Sequence, residues 1–162
     1  LDDSIVQKIK ESSNEVALFR SGNMSLGVNL IMDLAQKAAK VLAESFDIEI
    51  IEKHHNRKLD APSGTAYMIA DAINEELNNT KNYNFGRYGK SAKRDKSEIG
   101  IHAIRGGTIV GEHTVIYAGP DEIIEIKHTA MSRRIFASGA IKAARFIVKK
   151  ENGLYNMSDI LK

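Results

Sequence analysis

The most regular hydrophobic pattern of the chain lies between residues 25 and 43. Apolar residues recur there at spacings of three and four, at Leu26, Leu30, Leu34, Ala38 and Val41. This spacing places them on one face of a helix. Because polar and charged residues interrupt the stretch, it predicts an amphipathic helix and not a membrane span.

Alternating hydrophobicity, helix caps and turn residues predict the remaining elements. Further helices are expected at 2–12, 63–77 and 134–150. Strands are expected at 16–19, at 46–55, at 98–105, at 108–118 and at 122–129. Glycine-containing turns separate the last three strands, so we expect these strands to pair as a meander. Residues 78–97 are polar and basic with few aliphatic side chains, which predicts a long exposed loop.

The composition is that of a globular protein. The chain has 162 residues, of which 43% are hydrophobic, enough for one compact core or for one domain plus pieces of another. Charged residues make up 27% and the formal net charge is only +2, so no global charge calls for nucleic acid as a partner. The absence of cysteine excludes thiol chemistry and suits a cytoplasmic protein. The first residues resemble neither an initiation site nor a signal peptide, which predicts a truncated chain.

The segment most suggestive of chemistry is HHNRKLDAPSGT, at residues 54–65. It brings together a strand end, a cationic turn and a helix start, where ligand sites of α/β proteins are common. Two imidazoles and the Lys58 ammonium can supply protons and bind anions. The helix opening at Pro62 offers free backbone N–H groups and a positive dipole end. Together these groups could hold a carboxylate.

Other interpretations of the same segment remain open on these residues. The histidines could simply end a strand, Lys58 could be solvated, and Ser63 could be an ordinary N-cap. A metal site is disfavoured, because adjacent strand side chains point to opposite faces and no acidic residue lies at ligand spacing. The run GRYGKS at 86–91 lacks the first glycine of a phosphate-binding P-loop, and GGTIVG at 106–111 lacks the spacing of a dinucleotide fingerprint.

Four segments together resemble the dihydrodipicolinate reductases. They are HHNRKLDAPSGTA at 54–66, IGIHAIRGGTIVGEHTV at 99–115, SGNMSLGVN at 21–29 and GLYNMSDIL at 153–161. The resemblance implies an α+β fold, in which residues 25–133 form a substrate-binding and tetramerisation domain with a mixed β-sheet flanked by helices. Residues 1–24 would be a remnant of an amino-terminal Rossmann-type α/β domain. Residues 134–162 would be a carboxyl-terminal segment that returns to that domain.

The resemblance also implies an activity and the residues that perform it. The family reduces 4-hydroxy-tetrahydrodipicolinate to tetrahydrodipicolinate, with NADPH or NADH, in lysine and diaminopimelate biosynthesis. His54 matches the family's acid, and Lys58 supports it as the second catalytic residue. His55, Lys58, Gly64 and Thr65 match substrate-binding positions. Because most of the nucleotide-binding domain is expected to be absent, the chain by itself is predicted to be inactive.

The resemblance places the cofactor-binding residues outside the histidine segment at 54–66. They are Ser21, Gly22, Asn23, Met24 and Arg133, with Phe136 as a further contact. Met24 departs from the phenylalanine of many relatives. The implied partners are a small dicarboxylate and further copies of the chain in a homotetramer built through strands 98–129, with no metal, nucleic acid or membrane.

Two other classes of function compete with this interpretation. One is a non-catalytic oligomerisation module that retains a dicarboxylate-binding site. The other is a nucleic-acid-binding module that would use the basic and aromatic residues of the loop at 81–96.

Overall fold

The computed structural model describes residues 2–162, which form two compact units. One unit combines the chain through Leu30 with Arg133–Lys162, and the other is Ile31–Ser132. The functions assigned above to 1–24, 25–133 and 134–162 stay predictions.

The helices and strands that were predicted lie close to their predicted positions. The helices are α1 (Asp3–Ser12), α2 (Leu26–Leu42), α3 (Gly64–Glu76), α4 (Arg134–Ile147) and α5 (Met157–Leu161). The strands are β1 (Ala17–Phe19), β2 (Asp47–His54), β3 (Asn82–Asn84), β4 (Glu98–Arg105), β5 (Gly111–Ala118), β6 (Ile123–Ala130) and β7 (Gly153–Tyr155). In the part of the chain that the structure describes, no helix has the length and apolarity needed to cross a membrane.

The larger unit contains a five-stranded sheet in the order β3-β4-β2-β5-β6. Strands β3, β4 and β2 run parallel, whereas β5 is antiparallel to both β2 and β6. The sheet is therefore mixed, and the predicted α+β class with a mixed sheet and helices is confirmed.

The predicted meander of 98–105, 108–118 and 122–129 is wrong. Strands β5 and β6 do pair, but β4 pairs with β2 and not with β5. The chain leaves β2, passes through α3 and returns as β4 in parallel, as parallel strands require a crossover. Strand β5 then occupies the other side of β2. Strand β2 thus becomes the centre of the sheet.

One face of this sheet carries the core. The side chains of β2 alternate strictly between half-buried and buried positions, with Ile48 and Ile50 in the core. Helix α2 contributes Ala35 and Ala39, both fully buried, to the same cluster. The Tyr117 hydroxyl donates to the Ala35 carbonyl across 2.6 Å, which ties α2 to the sheet.

Helix α2 is where predicted, but it buries a different stripe. Leu34 is 42% exposed and Val41 is 77% exposed, whereas Ile31, Ala35 and Ala39 are buried. Both stripes have helical spacing, so periodicity alone could not choose between them. Small alanines allow a helix to pack close to a sheet, and this close packing is what the tertiary structure selects.

The predicted exposed loop at 78–97 is partly wrong, because two of its arginines are held against the sheet. Arg87 donates to both Glu49 and Glu98, at distances from 2.6 to 3.0 Å. Arg94 donates to Glu49 across 2.9 Å and to Asp47 across 2.7 Å. The loop also adds the short edge strand β3. Acidic side chains on β2 and β4 therefore fix this basic segment.

The smaller unit is built around the parallel pair β1 and β7. Helix α4 packs on it through Phe146, whose ring meets Phe19 edge-on at 6.3 Å and Tyr155 at 5.8 Å between centroids. Gly139 of α4 lies so close to the Met24 carbonyl that a Cβ there would collide with it. Residues 153–161, to which the hydrophobic pattern assigned no element, form β7 and α5.

Candidate functional site

The predicted histidine segment begins at the end of β2, where a buried carboxylate organises it. Glu52 is fully buried and accepts four hydrogen bonds. Two come from the Arg105 guanidinium at 2.6 and 2.8 Å, and one comes from the Ser63 amide at 3.0 Å. The fourth joins Glu52 Oε2 to His54 Nδ1 at 2.6 Å. These four hydrogen bonds lie near the carboxyl end of β2, beside the start of α3.

The charge state of Glu52 follows from these partners. Burial by itself raises the pKa of the Glu52 carboxyl, but the hydrogen bonds from Arg105, His54 and the Ser63 amide outweigh it and leave the pKa below its usual value. Glu52 is therefore an ionised carboxylate. Arg105 neutralises it, and burial of the Glu52 charge is tolerable because all of its strong acceptor positions are used.

A second buried histidine, His113, joins the site from β5. Its Nε2 lies 2.9 Å from the Ser63 hydroxyl oxygen, and its ring meets the His54 ring edge-on at 5.2 Å. Burial, followed by repulsion from His54, lowers the pKa of His113 to about 4. His113 is therefore a neutral imidazole at neutral pH. His113 is paired with His128 on the neighbouring strand β6, and burial also lowers the pKa of His128.

Ser63 links this histidine to the helix. It is the N-cap of α3, and its hydroxyl oxygen accepts the Ala66 amide at 3.2 Å. The predicted helix opening at Pro62 and Ser63 is therefore confirmed. The Ser63 amide meanwhile donates to Glu52, so one residue connects the helix start to both buried groups.

Three of the predicted substrate-binding residues, Lys58, Gly64 and Thr65, lie in the turn before α3 or in its first turn, while His55 directly follows β2 and is half-buried. Lys58 lies 2.7 Å from Asp60, both in the turn between β2 and α3. The hydrogen bond from Lys58 lowers the pKa of the Asp60 carboxyl, and the Gly64 amide lowers this pKa further. Burial of Asp60 opposes them with a smaller effect. The Asp60 carboxylate therefore receives the kind of contacts that a bound carboxylate ligand would receive. Gly64 has open space where a Cβ would stand, and Thr65 is half-buried beside it.

The predicted cofactor-binding residues belong to the other unit. The loop at 21–24 follows β1 directly, and its Asn23 organises it. The Ser21 hydroxyl donates to the Asn23 carbonyl at 3.1 Å, and the Asn23 side chain accepts the Ser25 amide at 2.9 Å. Gly22 is exposed within this loop.

The other predicted cofactor contact, Arg133, stands at the N-cap position of α4 and is exposed. It makes no side-chain capping bond to that helix. Phe136 lies in the first turn of the same helix and is 38% exposed.

Sequence reasoning did not single out Glu52, Arg105 and His113. A signal for Glu52 was present, because it stands two residues before His54 on a strand and so shares its face. Arg105 and His113 come from β4 and β5, whose pairing with β2 was not predicted. Within residues 2–162, no group of three or more His, Cys, Asp or Glu side chains is arranged to hold a metal ion.

These features define a class of protein. A mixed sheet with helices, whose central strand ends at His54 beside a helix N-terminus, is an α+β domain of a kind in which ligands commonly bind at the strand end. Comparison with known proteins gives the family. The model described as dihydrodipicolinate reductase, C-terminus, matches residues 27–161.

Curated relatives agree with that match. Proteins named 4-hydroxy-tetrahydrodipicolinate reductase from Caldanaerobacter subterraneus subsp. tengcongensis and from Clostridium novyi are 57% and 54% identical to this chain. The alignments cover 100% and 97% of this chain, but 64% and 62% of those relatives. A solved structure, described as dipicolinate-bound dihydrodipicolinate reductase from Paenisporosarcina sp. TG-14, matches with a TM-score of 0.76 and 25% identity. That match covers 96% of this chain and 59% of the solved chain.

The chain therefore belongs to the dihydrodipicolinate reductase family and corresponds to its C-terminal part. The resemblance inferred from the four sequence segments is confirmed. The chain spans less than two thirds of the length of these relatives.

Proposed function

We propose that this chain supplies the substrate-binding and proton-donating residues of a 4-hydroxy-tetrahydrodipicolinate reductase. The observation that carries the proposal is the cluster at the end of β2, where His54 and Lys58 stand beside the capped N-terminus of α3. The relatives' name and the dipicolinate bound to the structural neighbour support it. The pathway that follows is lysine and diaminopimelate biosynthesis, which would place the protein in the cytoplasm.

The proposed ligand is a small cyclic dicarboxylate. Lys58 and the first amides of α3 would bind one carboxylate, because an ammonium and a helix N-terminus both favour negative charge. In the structure Asp60 receives these contacts, so a ligand would compete with the Asp60 carboxylate for Lys58. Gly64 leaves the backbone open to close approach, while His55 and Thr65 would add polar contacts.

The proposed chemistry is reduction of a ring double bond conjugated with an imine. A reduced nicotinamide, NADPH or NADH, supplies the hydride when bound. His54 protonates the ring carbon next to the one that receives the hydride, and Lys58 stabilises the electron density that develops.

The cofactor would be held by the loop at 21–24 and by Arg133. This loop follows the end of β1, and β1 runs parallel to β7. Nucleotides bind outside the carboxyl ends of parallel strands, so the residues present fit such a group. The loop is already organised by Asn23, which favours a defined binding surface.

A homotetramer is part of the proposal. Strand β6 is an edge of the sheet and exposes Ile123 and Ile124, at 66% and 37%. An exposed apolar edge strand is a template for pairing with another chain. The alternative of a nucleic-acid-binding loop is weakened, because Arg87 and Arg94 are neutralised by acidic residues of the sheet.

Calorimetric titration with pyridine-2,6-dicarboxylate tests the ligand proposal. We expect the wild-type chain to bind it, and Lys58→Gln to weaken binding roughly tenfold or more, as loss of a charge-assisted contact does. Asp60→Asn should tighten binding, because it removes the carboxylate that competes for Lys58. The matched control is Lys37→Gln, since Lys37 forms an equally short 2.7 Å pair with Asp33 on α2.

Two outcomes would count against the proposal. One is an absence of binding by the wild-type chain at millimolar ligand. The other is equal affinity of the Lys58→Gln and Lys37→Gln variants, which would place the ligand elsewhere. A chain that self-associates and binds the dicarboxylate, but supports no reduction when the rest of the protein and a reduced nicotinamide are present, would favour the non-catalytic oligomerisation module.

A further inference from the structure

The buried Glu52 carboxylate is a group that the proposed chemistry does not use. Its Oε1 accepts the Ser63 amide at 3.0 Å and one Arg105 N–H at 2.6 Å. Its Oε2 accepts the second Arg105 N–H at 2.8 Å and lies 2.6 Å from His54 Nδ1. An ionised carboxylate only accepts hydrogen bonds, so the proton of this last bond belongs to His54. The Nδ1 atom of His54 is therefore protonated.

We infer that Glu52 is a positioning residue that fixes the Nδ1–H tautomer of His54 and thereby makes Nε2 the atom that carries and delivers the proton. This inference rests on the proposed function of His54. Arg105 and the Ser63 amide hold the carboxylate in place from the other side, so the His54 ring is oriented by a fully engaged partner. The bond that one ring nitrogen makes decides which proton the other can exchange.

The surroundings of Nε2 agree with this role. A Cβ on Gly111 of β5 would approach His54 Nε2 to 3.1 Å, so the glycine keeps the space beside that atom free. In the proton transfer, the imidazolium breaks its Nε2–H bond and a new C–H bond forms on the ligand. His54 is left as the neutral Nδ1–H tautomer, still bonded to Glu52, and solvent returns a proton to Nε2.

Nitrogen NMR of the His54 ring tests this assignment directly, because the two tautomers have different ring nitrogen shifts. At a pH where the ring is neutral, established by titration of the same sample, we expect the Nδ1–H tautomer to exceed the other about tenfold or more. In Glu52→Gln, one Arg105 N–H and the Ser63 amide should retain the side-chain oxygen at the Oε1 position, while the Arg105 N–H that Oε2 accepted loses its acceptor. The new amide N–H₂ then faces His54, so its Nδ1 becomes an acceptor and the Nε2–H tautomer should dominate.

The matched control is Glu49→Gln, which alters the carboxylate beside His102, 2.7 Å away on β4, and should leave the His54 ring unchanged. The wild-type measurement needs no variant to fold, and a dominant Nε2–H tautomer there would overturn the inference. Ring shifts that are identical in folded Glu52→Gln and wild type would also overturn it. Failure of the proposed function is separable, because it appears as absence of dipicolinate binding by the wild-type chain in the calorimeter.

Discussion

Acidification should destabilise the larger unit through His113. Burial, followed by repulsion from His54, lowers the pKa of His113 from 6.5 to about 4 in the folded chain. Between these two pH values His113 is protonated in the unfolded chain and neutral in the folded chain. The stability contribution is therefore complete above ~6.5 and is lost as the pH falls toward ~4. At 1.36 kcal/mol per pH unit, the full loss is roughly 3 kcal/mol.

The structural reason is local. Protonated His113 would place a charge in the core beside His54, and both of its ring nitrogens, including the one that faces the Ser63 hydroxyl, would then be donors. Ser63 both caps α3 and contacts His113, so protonation of His113 should destabilise the start of α3 together with the buried polar cluster.

Urea denaturation, followed through NMR signals of β5 amides, measures this effect. We expect the free energy of unfolding of wild type to fall by about 2 kcal/mol between ~pH 7 and ~pH 5 through His113 alone. His113→Gln should lose that part of the pH dependence. His102→Gln, on β4, which is separated from β5 by β2, is the matched control and should keep it. A wild-type minus His113→Gln difference that is the same at both pH values would refute the reasoning.

Two further substitutions, one in each unit, test a close backbone contact and a half-buried ion pair. Gly139→Ala should destabilise the smaller unit by about 1–3 kcal/mol in thermal or urea denaturation, because the new Cβ collides with the Met24 carbonyl and this outweighs a helix-propensity gain of about 1 kcal/mol. Arg87→Met should destabilise the larger unit by about 2 kcal/mol, because Glu49 loses a half-buried charged partner, and should speed hydrogen exchange in the neighbouring loop.

Each of these substitutions has a control in the same element. Ser138→Ala changes an exposed residue of α4 and should be neutral or slightly stabilising. Lys90→Met removes an exposed cation from the same loop as Arg87 and should change stability little. A Gly139→Ala chain as stable as wild type, or equal effects of the two loop variants, would contradict the packing described above.

Local interactions made much of this protein predictable. Helix α3 begins where its cap residue Ser63 predicts, because an N-cap satisfies backbone amides within three residues. Strand β2 follows from the alternation of its side chains. The histidine pair and Lys58 could be proposed as a site because strand end, turn and helix start are adjacent in the chain.

Long-range pairing was not predictable from the same signals. The strands after residue 97 look like a meander, since each follows the last after a short turn, yet β4 pairs with β2. Hydrophobic alternation says that a segment is a strand but not which strand it pairs with. The basic loop similarly reads as solvated, because the acidic partners of Arg87 and Arg94 lie on distant strands.

The sequence by itself therefore determined most of the helices and strands, the family, and the histidine and lysine side chains proposed for chemistry. Only the tertiary structure decided how His54 is held, because Glu52, Arg105 and His113 meet around it through the pairing of β4 and β5 with β2. Burial lowers the pKa of His113 and keeps its ring neutral, while the hydrogen bonds from Arg105 and His54 keep Glu52 ionised. Such effects depend on contacts between residues far apart in the chain, which spacing along a sequence cannot specify.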